Sequence, residues 1–461
     1  MRFAHTWVRQ RTGQSGASAP FPEWVDWFTT LMMCTLIVFM IAPEDFDYAS
    51  LGSPMPEEGN AMSRLIWIAL LAGSALVVLR YVRLARGVLS QMNPFFLAFV
   101  GLACLSVLWS IEPEFTIRRL IRVAAICLVS LAFVLVPGRR IQDVLRPMIT
   151  VMLLGSMVLV ALSPTLGVER STSPELAGAW HGLATQKNGL GSLAAIGTLL
   201  WLHAWLAREG RWPMILLGLA VSLLCLFNSR SSTSLLATAF AAPFMMVLIR
   251  SPRGLRRHMP WLVVLFATGL LLYSLAVLQL VPGLEFLLRP LEALTGKDPS
   301  FSGRTNIWGI VSESIARHPI LGGGYGAYWI GPVMGTAAYE HVTRLYFYPT
   351  EAHSGYLDII NDLGVLGGAC LIGYLLVYLR QSLRVLARTR AQGALYLGLL
   401  FQQLIANMSE SRWLNVLCIE FVIMTLATAA LARTQLNHRL EEYYRRYERR
   451  SGLVRSGSPA G

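Results

Sequence analysis

The sequence predicts an all-α polytopic membrane helix bundle of about twelve transmembrane helices, with a large loop on the outer face that contains a short amphipathic helix. Three observations predict it. Only 14% of the 461 residues are charged, against 54% hydrophobic, whereas a soluble domain carries roughly 25% charged residues. The mean hydropathy is +0.52. The apolar residues also gather in runs of about 20, the length a hydrocarbon core demands of a helix. Such a chain has too little charge to cover a water-facing surface, which excludes a soluble enzyme, a nucleic-acid-binding module and a disordered tail.

In chain order, the spans lie near 24–42, 62–80, 94–110, 119–136, 147–163, 189–206, 212–228, 234–250, 260–281, 356–379, 394–409 and 413–432. This divides the chain into nine spans with mostly short loops (1–281), a large outer loop (282–355), three further spans (356–432) and a basic tail (433–461). The net charge of +13 invites a nucleic-acid partner, but its placement argues against one. Of 39 Lys and Arg, 26 fall on the side that holds both termini and 13 on the other. Basic residues resist translocation and mark the cytoplasmic face, so both termini are expected in the cytoplasm and the long loops outside. The apolar run after the basic N-terminus is a full span without an obvious small-residue cleavage site, and is expected to stay as an anchor. Cys34, Cys104, Cys127, Cys225, Cys370 and Cys418 all fall inside predicted spans, which leaves no disulfide framework or zinc-type spacing outside.

Two connections are long, 164–188 and 282–355, and long loops in an economical chain usually carry function. The acidic first outer loop (Glu44, Asp45, Asp47, Glu57, Glu58) reads instead as a solvated turn. Within 282–355, the stretch Arg304 to Arg317 places Ile307, Trp308, Ile310, Val311 and Ile315 on one helical face, and His318-Pro319 ends it. Such a helix either lies along the membrane surface or packs on the bundle. The run Gly322-Gly323-Gly324-Tyr325-Gly326 lacks the Lys-Ser/Thr of a nucleotide cradle and reads as a tight turn bringing backbone close to a neighbour.

Ionisable residues near membrane depth are costly unless paired or facing a polar cavity. Arg230 sits in a turn between two apolar spans. Arg304 and Arg317 flank the loop helix, Lys187 precedes the sixth span and Arg412 the last. Guanidinium groups offer a flat fork of donors suited to phosphate, so converging arginines suit a diphosphate ligand; a lipid-headgroup contact is the plainer reading for any one of them. Among the outer histidines (His181, His318, His341, His353), His353 stands immediately before the tenth span. An imidazole titrates near neutral pH and can take a proton from a hydroxyl. Glu351, two residues away, is an orienting partner or a competing base.

The stretch Gly303-Arg304 through Trp308, His318-Pro319-Ile320-Leu321-Gly322 to His353-Ser354-Gly355-Tyr356-Leu357 resembles the O-antigen ligase / Wzy-type polymerase superfamily. Trp180-His181-Gly182, Gln186-Lys187-Asn188-Gly189-Leu190-Gly191 and Ser229-Arg230-Ser231 resemble its exopolysaccharide-polymerase branch. The resemblance implies a metal-independent glycosyltransferase of the bacterial inner membrane, with no cofactor. It would move a glycan from undecaprenyl diphosphate to an acceptor sugar hydroxyl on the periplasmic face. His353 would be the base or acceptor-positioning group, and Arg230 and Arg304 would hold the diphosphate and stabilise its charge as it leaves. Lys187, Arg412, Arg317 and Glu351 are further substrate-binding candidates. Ser354 departs from the Asn the family often has after its histidine. A polymerase joins repeat units, whereas a ligase moves finished polymer to lipid A-core; the 180–191 motif favours a polymerase. A protein O-oligosaccharyltransferase is a third relative. A twelve-span transporter fits the composition but lacks the central cytoplasmic linker and matching halves. The basic tail is expected to lie on the anionic inner leaflet, with a chain-length regulator as a candidate partner that no motif in the tail marks.

Overall fold

The computed structural model describes residues 21–42, 61–170, 177–277, 283, 304–416 and 418–451. The acidic first outer loop lies outside the described residues, as do the first twenty residues, Phe301-Ser302-Gly303 and the last ten. Among the described residues the protein is helical apart from an isolated bridge between Val168 and Trp180.

The helices are α1 (Glu23–Ile41), α2 (Ala61–Arg80), α3 (Val82–Leu89), α4 (Pro94–Leu105), α5 (Pro113–Leu135), α6 (Ile141–Leu162), α7 (Lys187–Ala207), α8 (Trp212–Asn228), α9 (Ser232–Arg250), α10 (Met259–Val277), α11 (Arg304–Arg317), α12 (Tyr339–Leu345), α13 (Gly355–Arg388), α14 (Arg390–Ala406) and α15 (Ile419–Ser451). Each of the twelve apolar stretches read from the sequence overlaps one of these helices. Seven of them, α1, α2, α6, α7, α9, α13 and α15, are long and apolar enough to cross a membrane. The stretch at 94–110 instead forms the second arm of a pair bent by 105°. Asn93 makes the bend: its side-chain oxygen accepts from Phe95 N and Phe96 N, Pro94 fills the first helical position, and its amide donates to Tyr374 O at 2.8 Å. A cap followed by proline starts a new helix in a new direction.

Most of α7 is enclosed by its neighbours. Gly189, Gly191, Ser192, Ala194, Ala195 and Gly197 leave room for this, since small residues let helix backbones approach closely. A methyl group at Gly191 would lie 2.7 Å from Ser231 Cβ. The final helix differs from expectation at both ends. It begins at Ile419 rather than near 413, and runs unbroken past 432 to Ser451, because the tail contains good helix formers and neither Gly nor Pro before that point.

The basic connections assigned to one face from charge meet at one end of the bundle. Arg139 pairs with Asp26, Arg140 with Glu209 at 2.6 Å, and Gln142 with Gln392 at 2.8 Å. The other connections meet at the opposite end. There Arg119 donates to Trp329 O at 2.7 Å and Asn188 to Glu410 at 2.9 Å.

At that second end α13 is broken at Gly364 (φ 63°, ψ −162°). A helix break buried in a membrane protein exposes backbone groups that must find partners. The segment after α11 supplies them. Gly323 N donates to Asn361 O and Gly324 N to Asp362 O, both at 2.9 Å, while Val365 N donates to Pro319 O (2.9 Å) and Leu366 N to Ile320 O (3.4 Å). The glycine run thus brings backbone against backbone, as the sequence implied. A Cβ at Gly364 would lie 2.2 Å from Ile320 O, whereas one at Gly368 meets Ile360 only at ordinary contact distance, 3.4 Å. We therefore expect Gly364→Ala to cost about 2 kcal/mol or more, measured as a lower thermal midpoint and yield of detergent-solubilised protein. Gly368→Ala should leave both unchanged.

Candidate active site

A buried polar cluster occupies the end of the bundle where α7, α11, α13 and the α14–α15 connection meet. Its centre is Glu410. The connection is shaped by Asn407, whose side-chain oxygen accepts from the backbone N–H of Arg412 (2.8 Å) and of Trp413 (2.7 Å); Leu414 takes a left-handed φ of 53°. This keeps 408–416 out of the helix and places Cys418, expected inside a span, next to the Arg412 guanidinium, its Sγ 3.1 Å from Nη1. The start of α13 is docked on the same connection, Gly355 N donating to Asn407 O and to Glu410 O, each at 3.1 Å. A Cβ at Gly355 would lie 2.0 Å from Asn407 Oδ1, so the close approach of these two segments requires glycine here. Ser354 caps α13, its side chain accepting from Leu357 N.

Four segments reach the Glu410 carboxylate. Asn188, in the first turn of α7, donates to Oε1 at 2.9 Å. Arg304, the first residue of α11, approaches Oε1 at 3.4 Å. Arg412 approaches Oε2 at 3.2 Å and also faces Glu420 at 3.6 Å. His353 Nδ1 lies 4.0 Å from Oε2 and 3.1 Å from Glu351 Oε1, close to that carboxylate but off the line of a hydrogen bond. Glu351, Glu410, Arg412 and Glu420 are buried. The side chains of His353 and Arg304 are 29% and 23% exposed, so these two form the accessible face.

The charges set the protonation states. Burial works to lower the His353 pKa, but the Glu351 and Glu410 carboxylates outweigh it and raise it above the ordinary imidazole value, with Arg304 opposing. Burial works to raise Glu351, and His353 and Arg412 beside it hold it below the usual carboxylate range. Glu410 goes the other way: burial, with Glu351 adding repulsion, pushes it up to about 7 against the pull of Arg412. One carboxylate thus stays ionised beside the imidazole and the second takes a proton near neutrality.

Glu351, His353 and Glu410 could also hold a cation, since one donor atom from each lies within 4.8 Å of the others. Arg304 and Arg412 already face Glu410, however, and repel a divalent ion there.

Of the residues singled out from sequence, His353, Glu351, Arg304 and Arg412 come together. Lys187 opens α7, one residue before Asn188. Arg230, at a left-handed φ of 48°, turns its guanidinium to Ala177 O at 2.7 Å. Its turn adjoins the cluster through Thr233, whose hydroxyl is 2.6 Å from that of Ser409. Arg317 lies elsewhere: a helix of this length carries it about 20 Å along α11 from Arg304, where it pairs with Glu340 at 3.2 Å. His181 and His341 are buried, against Ala184 O (2.9 Å) and the Tyr328 hydroxyl (3.1 Å) respectively. Glu410 escaped the sequence reading. The cost of burying charge that flagged Arg412 applied equally to its neighbour two residues away.

The fold defines a multi-pass helical membrane protein with an ionisable site at one end of its bundle. Residues 217–372, which include Arg230, Arg304, Glu351 and His353, match the family model of the O-antigen ligase. A curated relative, the exopolysaccharide production protein ExoQ of Rhizobium meliloti (strain 1021), is 24% identical over 277 residues. That match covers 59% of this chain and 60% of the relative's length. Both findings bear out the resemblance to the O-antigen ligase / Wzy-type superfamily. Lys187, Asn188, Glu410 and Arg412 lie outside the family match.

The electrostatics have a direct test. Glu351 stabilises the charged imidazole, so Glu351→Gln should lower the His353 midpoint and expose the neutral ring at lower pH. Diethyl pyrocarbonate modifies only the neutral imidazole, and its pH profile on the His353 peptide, read by mass spectrometry, measures that midpoint.

Proposed function

We propose that the protein is a membrane glycosyltransferase that moves a glycan from undecaprenyl diphosphate to an acceptor sugar hydroxyl, as a repeat-unit polymerase for exopolysaccharide or O-antigen. The observation that carries this is the accessible pairing of His353 with Arg304 over a buried acidic cluster. It puts a proton acceptor and a guanidinium on the same open face, the two groups such a transfer needs.

In the proposed reaction the acceptor oxygen attacks the anomeric carbon of the donor. The bond from that carbon to the diphosphate oxygen breaks, and the electron pair leaves with undecaprenyl diphosphate. The hydroxyl proton passes to neutral His353. Glu351 stabilises the imidazolium that forms, the role a carboxylate plays toward histidine in hydrolase triads. Arg304 reaches Glu410 across 3.4 Å with a part-exposed side chain and turns to the departing diphosphate, where fixed positive charge lowers the barrier most. Arg230 and Lys187 lie on neighbouring segments and extend the positive surface for the donor headgroup. Arg412 stays buried and tunes Glu410. No step calls for a nucleotide, a cofactor or a metal ion.

The membrane arrangement follows. In this reading the apolar helices cross the bilayer of the inner membrane, the bent α3–α4 pair making one crossing, both termini face the cytoplasm, the 282–355 connection is periplasmic, and the donor enters sideways from the lipid. The tail of α15 lies at the cytoplasmic end, the place for a chain-length regulator to bind. A ligase acting on lipid A-core uses the same donor chemistry and differs in its acceptor.

Mass analysis of undecaprenyl-linked glycans in a strain lacking the gene separates these readings. Accumulated single repeat units are the expected result; long chains left on the carrier would mean a ligase, and an unchanged pool would sink both. His353→Ala and Arg304→Ala should each abolish polymer at normal protein level. Purified protein treated with EDTA should keep its full turnover; a loss restored by a divalent cation would replace the guanidinium mechanism with a metal-dependent one.

A further inference from the structure

We infer that Asp358 and Trp308 are positioning residues for His353, gripping from opposite sides the backbone of the residue before it. This rests on the reading of His353 as the proton acceptor. The Ala352 N–H donates to Asp358 Oδ2 at 3.2 Å. The Ala352 carbonyl accepts from the Trp308 indole Nε1 at 2.9 Å. Both polar atoms of one buried residue are therefore held by side chains rather than by regular structure.

The grip matters because His353 has a φ of 52°, a left-handed conformation that an L residue adopts only when its surroundings impose it. Released, the 351–353 segment relaxes toward an extended backbone and the imidazole swings away from Glu351. Trp308 follows Arg304 by one helical turn on α11, and residues four apart share a helix face. One face therefore delivers the guanidinium to Glu410 and the indole to Ala352. Asp358, in the first turn of α13, is itself oriented by the Trp329 indole, which donates to Oδ1 at 2.7 Å. Trp329 belongs to the same connection, and Arg119 of α5 holds its carbonyl at 2.7 Å. The base is thus aimed jointly by α5, α11 and α13.

The charged groups that face His353 are Glu351 on its own loop, Glu410 on the α14–α15 connection and Arg304 on α11; Arg412 and Asp358 act one step removed, Arg412 on Glu351 and Glu410 and Asp358 on Glu351. Displacement of the ring away from Glu351 weakens its strongest favourable partner, so the position of the ring is readable as a titration.

The experiment uses the full chain in lipid nanodiscs, as wild type, Trp308→Phe and Asp358→Asn. Asp358→Asn keeps the shape of its side chain and weakens one grip, and Trp308→Phe keeps an aromatic ring while removing the indole N–H of the other. Two quantities are measured: turnover of the lipid-linked donor, and the pH midpoint of His353 modification by diethyl pyrocarbonate. The expected result is a fall in kcat of about tenfold to a hundredfold, since small misplacements of a catalytic group cost that much. KM for the donor stays nearly unchanged, and the His353 midpoint moves down toward that of an ordinary imidazole. A wild-type midpoint retained in both folded variants would overturn the positioning role, whatever happens to turnover. If Asp358→Asn does not fold, Trp308→Phe decides alone. Wild-type protein without turnover would remove the glycosyltransferase reading, and the titration would still test the grip.

Discussion

A carboxylate taken out of water must be met by positive charge and hydrogen-bond donors, and Glu410 imposes that requirement on the end of the bundle that carries the site. Breaking such a buried arrangement by removing one partner is strongly destabilising, so each segment that supplies a partner is held in place by the same group. Glu410 draws in the first turn of α7, the start of α11, the loop before α13 and its own neighbour Arg412. The site is therefore a consequence of how the bundle closes. Its two part-exposed members, Arg304 and His353, are the partners of the buried carboxylates that also reach solvent.

Much of the fold was legible because the bilayer imposes a simple length rule on apolar runs, and the distribution of Lys and Arg sorted the connections into the two groups that the structure gathers at opposite ends. What was not legible depends on direction rather than on composition. The bend between α3 and α4 leaves the apolar pattern intact; only the Asn93-Pro94 pair marks it. The start of α15 was misplaced because Trp413, Leu414, Val416 and Cys418 look like span residues, whereas the side chain of Asn407 holds their backbone in a loop. The site was half readable. His353 and Arg304 stood out as a histidine and an arginine where polar groups are expensive, but a search for positive charge passes over Glu410. Arg317 looked equivalent to Arg304 in sequence, and the rise of the helix between them carries it away.

The 282–355 connection has two structural roles. Its helix α11 presents one polar turn to the cluster and buries Ile307, Trp308, Ile310 and Val311 behind it. The following segment is built into the bundle, where four backbone hydrogen bonds replace those that α13 gives up at Gly364. The break lies about three turns below the cap of α13, so the loop, the break and the aimed histidine form one continuous construction.

That splice also fixes a length. Four backbone hydrogen bonds tie 319–324 to 361–366, so one residue added or removed there shifts the register and strands donors and acceptors at the buried Gly364 break. The stretch between Gly331 and Tyr348 is tied by side chains instead, Glu340 to Arg317 and His341 to Tyr328, which leaves the backbone around α12 free of the splice. Divergent chains of this architecture would then vary the size of their outer connection in that second stretch, where it can change the outer surface of the protein without altering the frame that holds the chemistry.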